Sequence, residues 1–294
     1  SFKDREQLFS VAESGIDLAL AVLHGDSYTN DYDSLFDSWY TIAEKPIQLF
    51  ERGAELTVTI QDLSGRLQVN SLVNSAPAGG AQAGNGNESA ELAREILLRL
   101  LQSGEFVVED DLQAREIVDA IIDWLDSDDN ESNYGAEASY YESLDSPYTP
   151  RNDLLKLPNE LLSVKGVTEE LLFGNDEKKA LAEYITVFGD SGTININTAD
   201  PFLIQAFDDR IDSDQVASLT EFRDDEKNVE LLKEPSWYSQ VSGWPGDIAL
   251  SNTFVTTTSN VFQVRAEATV NETVLAVVAY VKRSGKDTLE ILYR

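Results

Sequence analysis

The chain has 294 residues, enough for two domains or for one domain that carries a large insertion. Its 53 acidic and 22 basic residues give a net charge of −31, so its surface repels nucleic-acid phosphates and anionic lipids and attracts cations. The absence of cysteine and the single histidine, His24, exclude disulfides, thiol catalysis, thiolate metal sites, most histidine zinc sites and the usual hydrolase triads.

Two features bear on membrane attachment and processing. No stretch reaches the ~20 apolar residues that a membrane span needs. The chain contains no methionine, so we expect a segment ahead of Ser1 to have been removed, by processing or by cloning. A signal sequence and a membrane anchor both fit that missing segment.

The first 24 residues predict a helix with one apolar stripe. The stripe residues recur at steps of three and four: Leu8, Ala12, Gly15, Ile16, Ala19 and Leu23. No capping residue precedes them, and we expect the helix to have continued towards the N-terminus.

Alternating residues then predict a hairpin, formed by Glu55–Gln61 and Arg66–Leu72 around a turn at Asp62–Gly65. Residues 74–87, NSAPAGGAQAGNGN, predict a flexible loop that separates one unit from the next.

A helical block follows this loop, because the apolar period changes to 3.6 from Glu88 to about Phe188. The predicted helical segments are Glu88–Leu101, Asp110–Leu125, Leu161–Val164, Thr168–Phe173, Asp200–Phe207 and Asp214–Phe222, with a strand-like stretch at 192–198. The last 34 residues predict an antiparallel meander of three strands: Phe262–Val270, Val274–Lys282 and Thr288–Leu292.

This order favours an α+β fold in which the early hairpin and the final meander share one sheet, with the helical block inserted between them. The predicted boundaries are 1–75 for the helix and first strands, 76–250 for the insertion, with helical units at about 88–190 and 193–250, and 251–294 for the closing strands. The acidity is concentrated in the insertion, since residues 105–146 hold fourteen acids and one base.

The most acidic loop follows the predicted helix that ends at Leu125. With Asp126 as position one, oxygen-bearing side chains occupy positions 3, 5 and 12: Asp128, Asn130 and Glu137. That order is typical of calcium loops, in which hard oxygens surround the ion and a carboxylate closes the site. Position six is Glu131 where the EF-hand has glycine, so the match is one of ligand order only. A solvated acidic loop is the alternative interpretation.

Residues 161–172, LLSVKGVTEELL, resemble a helix-hairpin-helix motif, whose backbone N–H groups grip DNA phosphates in other proteins. Thr168 replaces the usual second glycine and the surroundings are acidic, so we do not expect DNA binding. Residues 194–207 resemble the opening of a second such unit. No nucleophile elbow, phosphate loop or dinucleotide fingerprint occurs, and we expect no enzymatic activity.

Four stretches together resemble the K-type minor pseudopilins of type II secretion. They are DSLFDSWY (33–40), TVTIQDLSGRLQVNSLV (57–73), the segment from IIDWLDSDDN to LLSVKGV (121–167), and ININTADPFLIQAF (194–207). The alternative is a secreted acidic module, carbohydrate-active or nucleic-acid-binding, built on helix-hairpin-helix units.

The resemblance implies a pilin-like fold, with a long N-terminal helix on an antiparallel sheet and a large inserted all-α domain containing degenerate helix-hairpin-helix units. It implies a structural role at the pseudopilus tip, where the K-type subunit joins I- and J-type minor pseudopilins during export of folded proteins across the outer membrane. The folded part would lie in the periplasm of a Gram-negative bacterium, anchored in the inner membrane by a missing helix whose methylated prepilin-type leader is removed.

The resemblance also implies structural calcium in the inserted domain. Its ligands would come from Asp126, Asp128, Asn130 and Glu137, with Asp129 and Asp145 as further candidates. For partners, we expect the stripe of the first helix to form the interface, through Leu8, Ala12, Gly15, Ile16 and Ala19, because small residues allow helices to cross closely. Burial of the stripe on the chain's own sheet is the competing interpretation.

Overall fold

Helices and strands form separate blocks along the chain. The computed structural model describes residues 2–44, 46–49, 54–73, 85–189 and 191–294. In these ranges the α-helices are α1 Phe2–Asp26, α2 Ser38–Thr41, α3 Asn85–Gln102, α4 Asp111–Leu125, α5 Ala138–Glu142, α6 Glu169–Phe173, α7 Pro201–Gln205 and α8 Ser213–Asp224. The strands are β1 Ile47–Leu49, β2 Ala54–Asp62, β3 Leu67–Gln68, β4 Ile185–Thr186, β5 Ile194–Asn195, β6 Val255–Thr256, β7 Val261–Val270, β8 Thr273–Ser284 and β9 Thr288–Tyr293.

The main sheet is antiparallel, with the strand order β1-β2-β7-β8-β9. Strand β2 pairs with β7 along nine residues, from Ala54 opposite Val270 to Asp62 opposite Phe262. The predicted meander is confirmed, and it shares its sheet with an early strand as expected. The helical block therefore leaves the sheet at the end of β2 and returns to it at the start of β7.

Helix α1 lies on one face of this sheet, and its apolar stripe is its inward face. Leu8, Ala12, Ile16 and Ala19 are at most 1% exposed and belong to the same core as the inward residues of β2, β7 and β8. A Cβ at Gly15 would lie 2.7 Å from the Cβ of Ala266. The partner-interface prediction for these five residues is therefore wrong, because burial on the chain's own sheet removes them from any outer surface.

The same helix corrects a second expectation. Between Arg5 and Asp26 it is long and apolar enough, by length and composition, to cross a membrane, although the sequence analysis found no such stretch. A core helix of a folded domain meets the same criterion. The buried stripe accounts for part of this apolar character.

The predicted early hairpin is also wrong. Strand β2 pairs with β1 and β7, whereas β3 pairs in parallel with β4, about 120 residues later. The turn between β2 and β3 packs against the helical part, since a Cβ at Gly65 would lie 2.6 Å from the Thr198 hydroxyl oxygen. Alternation identified a strand but could not identify its partner, because pairing is decided by tertiary contacts.

The helical part has its own core, which joins α3, α4, α6, α7 and α8 to the 63–73 segment. Residues 63–73 were predicted to belong to the first unit, but Leu63, Leu67, Val69 and Leu72 are buried in this second core. Of the predicted flexible loop, residues 74–84 lie outside the described residues, and α3 begins at Asn85. The structure thus combines helices with an antiparallel sheet and an N-terminal helix, as predicted.

Candidate metal site

The acidic loop, residues 126–137, connects α4 to α5. The side chain of Asp110 caps α4 by accepting a hydrogen bond from Gln113 N, and nine of the helix's residues are buried. At the other end Asp126 is the first non-helical residue, and Glu137 directly precedes α5. The two outermost predicted ligands are therefore fixed by helix ends, and the loop between them connects those ends.

Asp123, in the last turn of α4, shapes this loop from inside. Its fully buried carboxylate accepts backbone N–H groups from Ser132, at 3.2 and 3.1 Å, and from Ala136, at 2.9 Å. A Cβ at Gly135 would overlap the Asp123 carboxylate. The EF-hand needs a glycine at position six of its loop, whereas this loop needs one at Gly135, where the backbone closes around the Asp123 carboxylate.

Three side chains near the loop bury oxygen atoms that have no hydrogen-bond partner. They are Asp126 through Oδ1, Glu137 through both Oε atoms, and Asn152 through Oδ1. Glu137 is only 3% exposed. Buried polar atoms are nearly always hydrogen-bonded, so four unpaired oxygens in one region require an explanation such as a missing ion or water. When both carboxyls are ionised, all four can act only as acceptors or as ligands of a hard cation.

The electrostatics of the two carboxyls point the same way. Burial, followed by the charges of Asp123 and Asp126, raises the pKa of Glu137 to about 7. Burial and the charge of Asp128 also raise the pKa of Asp126. Arg94 opposes this effect at Asp126 through its charge, but among the described residues no base forms an ion pair with either carboxylate. A bound cation would relieve the repulsion between these negative groups.

The remaining predicted ligands lie in two different places. Asp128, Asp129 and Asn130 are exposed at the rim of the loop, where Asp128 Oδ1 accepts a 2.8 Å hydrogen bond from Asn130 N. Asp145 is also exposed, and among the described residues no hydrogen bond or ion pair joins it to the loop. Asp126 thus acts on Glu137 through its charge, Asn152 contacts the loop at Asp128 and Asp129, and Asp145 lies apart.

Asn152 was missed by the sequence analysis. Its side-chain amide donates to Asp128 O at 3.0 Å and to Asp129 Oδ1 at 3.1 Å, which leaves its own Oδ1 buried and unpaired. Its backbone has φ of 47°, a left-handed conformation that asparagine tolerates better than most residues. Fifteen residues separate it from Glu137 along the chain, so the ligand order in the loop gave no sign of it.

The resemblance to a helix-hairpin-helix falls on a segment that supports this loop. Around Gly166, with φ of 81°, a 3-10 turn at Pro158–Ser163 is followed by α6. Lys165 Nζ donates to the carbonyl oxygens of Tyr134 at 3.3 Å and Gly135 at 3.0 Å. The lysine of the hairpin is therefore bound to the acidic loop.

A second group of carboxylates lies elsewhere, at the end of α1. Oxygens of Asp26, Asp33 and Asp37 lie within 4.8 Å of one another. Arg283 forms ion pairs with Asp26, at 3.1 Å, and with Asp33. Because protein donors already bind these oxygens, this cluster lacks the unpaired atoms that distinguish the acidic loop.

Comparison with known proteins gives a consistent result. The family described as type II secretion system (T2SS), protein K matches residues 65–190. The chain is similar to type II secretion system protein K of Aeromonas hydrophila, with 28% identity over 82% of this chain and 70% of the relative. It is also similar to the Pseudomonas aeruginosa protein of the same name, with 26% identity over 96% of this chain and 78% of the relative.

The fold is likewise similar to a solved structure. A chain of the GspK-GspI-GspJ complex from the type 2 secretion system of enterotoxigenic Escherichia coli aligns with a TM-score of 0.70. The alignment covers 99% of this chain and 96% of that one, at 19% sequence identity. The helix, the sheet and the inserted helical part therefore form one shared fold.

Proposed function

We propose that the chain belongs to the type II secretion system protein K family and acts as a minor pseudopilin, a structural subunit of that secretion machine. The observation that carries this is the similarity to protein K relatives along 82% and 96% of the chain. A role in assembly, without catalysis, agrees with the absence of a nucleophile motif and with the structural use of Lys165.

We propose I-type and J-type minor pseudopilins as its partners and the tip of the pseudopilus as its place. The similar solved chain comes from a GspK-GspI-GspJ complex, and the two folds correspond over nearly their whole length. The corrected role of the α1 stripe moves the partner surface away from Leu8, Ala12, Gly15, Ile16 and Ala19. The subunit would work in the periplasm, attached to the inner membrane.

We also propose that the acidic loop binds a structural calcium ion. Asp126, Glu137 and Asn152 would supply the buried oxygens, and the exposed Asp128 or Asp129 could approach from the rim. Calcium prefers six to eight oxygen ligands and accepts irregular geometry, which suits carboxylates and an amide from separate segments. Bound there, the ion would join the loop to the segment that carries Asn152 and neutralise the Glu137 carboxylate.

Co-purification tests the assembly. The chain should be mixed with the I- and J-type pseudopilins encoded by the same organism and analysed by size-exclusion chromatography with light scattering. We expect this chain to form a stoichiometric complex with the two partners. An unrelated acidic protein, mixed with the same partners, should form no such complex. Separate elution of all three proteins at concentrations at which each is folded would overturn the proposed role.

A further inference from the structure

Four carboxylates are buried where α1 ends and the sheet meets the helical part. Asp26, Asp33, Asp37 and Asp62 are each at most 8% exposed. Asp26 lies at the end of α1 and Asp62 at the end of β2. Ser259 connects the cluster, because its hydroxyl donates to Asp62 Oδ2 at 2.5 Å and its backbone N–H donates to Asp33 Oδ2 at 2.7 Å.

Positive charge is scarce around these carboxylates. Arg283 of β8 binds Asp26 and Asp33, and also donates to Ser259 O at 2.8 Å. Arg66 acts on Asp62 through its charge, while its guanidinium donates to Ala182 O. Lys286 pairs instead with the exposed Asp31. Within the described part of the chain, four buried acids therefore face one contacting guanidinium, and carboxyls in that situation cannot all remain ionised at low cost.

The helical part contributes neutral polar groups to this cluster. The side-chain amides of Asn195 and Asn197 donate to Asp33 O, at 3.2 and 3.0 Å. The Thr198 hydroxyl donates to Asp62 Oδ2 at 2.5 Å, and Trp237 Nε1 donates to Asn197 Oδ1 at 2.7 Å. Two acids of the helical part act on neighbours of the cluster: Glu230 on Tyr32, whose hydroxyl donates to Val229 O, and Glu183 on Arg66. The cluster is thus part of the contact between the two cores.

We propose that this buried cluster of carboxylates and arginine is a proton-sensitive contact, which takes up protons in mildly acidic solution and then holds the helical part more firmly on the sheet. Protonation removes repulsion among the four acids while Arg283 keeps a partner. The inference goes beyond the proposed function, which gives these residues no role, and it does not depend on the calcium site.

The raised pKa values of two of these groups follow from this geometry. Burial raises the pKa of Asp33 to about 7 against the opposing effect of Arg283. Burial and the charge of Asp37 raise the pKa of Asp26 to about 6, again opposed by Arg283. Both values exceed the ordinary 3.8, so the folded chain holds more protons than the unfolded chain between these limits. Stability from this source falls as pH rises through that range and is constant above it.

The proposal is tested by melting temperatures measured in EDTA at about pH 5 and at about pH 8, which lie on either side of the titration range. In EDTA, Glu137 also contributes to a lower melting temperature of the wild type at the higher pH, and we expect Asp33→Asn and Asp26→Asn each to make the wild-type difference smaller. Asp31→Asn is the matched control, because it changes net charge equally while its side chain is 89% exposed. Variants that keep the full wild-type difference would overturn the proposal.

Hydrogen exchange of the wild type gives a second test that requires no substitution. After correction for the intrinsic effect of pH on exchange, the backbone amides of residues 194–198 should be better protected at the lower pH. Equal protection at both pH values would show that protonation does not tighten the contact, even if Asp33→Asn proves unable to fold.

Discussion

Calcium should stabilise the folded chain, and removal of one carboxylate should abolish that effect. The informative substitution is Glu137→Gln, which retains the size of the side chain and removes the charge from the two unpaired oxygens. Asp145→Asn makes the same change in net charge at an exposed position that no contact joins to the loop. Comparing both variants in EDTA and in calcium separates a specific site from the general acidity of the chain.

The magnitude follows from ion binding and from the burial of Glu137. An ion present at about 100 times its dissociation constant adds about 2.7 kcal/mol to the free energy of unfolding if it binds only the folded state. At about 2–4 °C for each kcal/mol, this predicts a rise in melting temperature of roughly 5–10 °C. Without the ion, a pKa of about 7 for Glu137 against an ordinary 4.5 corresponds to roughly 3 kcal/mol of destabilisation once the carboxylate is ionised.

The assay is thermal unfolding followed by circular dichroism at about pH 8, with each protein in EDTA and in millimolar calcium. The wild type and Asp145→Asn should gain the full shift, whereas Glu137→Gln should gain almost none and, because it no longer buries an ionised carboxylate, should melt above the wild type in EDTA. Identical midpoints for the wild type in both buffers would refute the metal site. An undiminished shift in Glu137→Gln would place any bound calcium elsewhere.

Three further predictions follow from the packing and charge. Gly135→Ala should lower the free energy of unfolding by about 1–3 kcal/mol or more, because the new methyl group displaces Asp123, whereas Gly246→Ala, which has open space around it, should change denaturant stability little. Gly15→Leu should lower the melting temperature of the isolated chain, whereas the control Ser14→Ala, at an exposed position, should not. An unchanged melting temperature for Gly15→Leu would mean that the stripe is not packed on the sheet. A fluorescent DNA or RNA oligomer should show no saturable binding at low salt, where attraction to any basic face would be strongest.

Local patterns predicted local structure well. The alternation of Val261–Val270 and its two successors predicted the meander, and the burial of every second residue from Phe262 to Ala268 explains why the pattern was so regular. The predicted helix Asp110–Leu125 corresponds to α4 within one residue, because Asp110 is the residue that caps it. In each case the pattern that predicts the element lies within one short stretch of sequence.

Long-range contacts were the part that sequence reasoning could not supply. The hairpin was wrong because the partner of β2 is β7, near the opposite end of the chain. Asn152 was missed because its side chain reaches the acidic loop from a separate segment. The cluster around Arg283 was missed because it combines residues that lie about 250 positions apart. Helical periodicity identified the α1 stripe but could not decide which neighbour covers it.

The pairing of β2 with β7 has a consequence for how the chain folds. Asp62 pairs with Phe262, 200 residues later, so β2 is synthesised long before its partner exists. Leu63 N donates to Val261 O at 2.9 Å, which means that the two ends of the inserted segment meet in the folded protein. If that segment acquires its structure first, it converts a long loop closure into the meeting of adjacent strands and removes most of its entropic cost. Pulse-labelled hydrogen exchange during refolding should then detect protection in α4 before β2, and simultaneous protection would contradict this order.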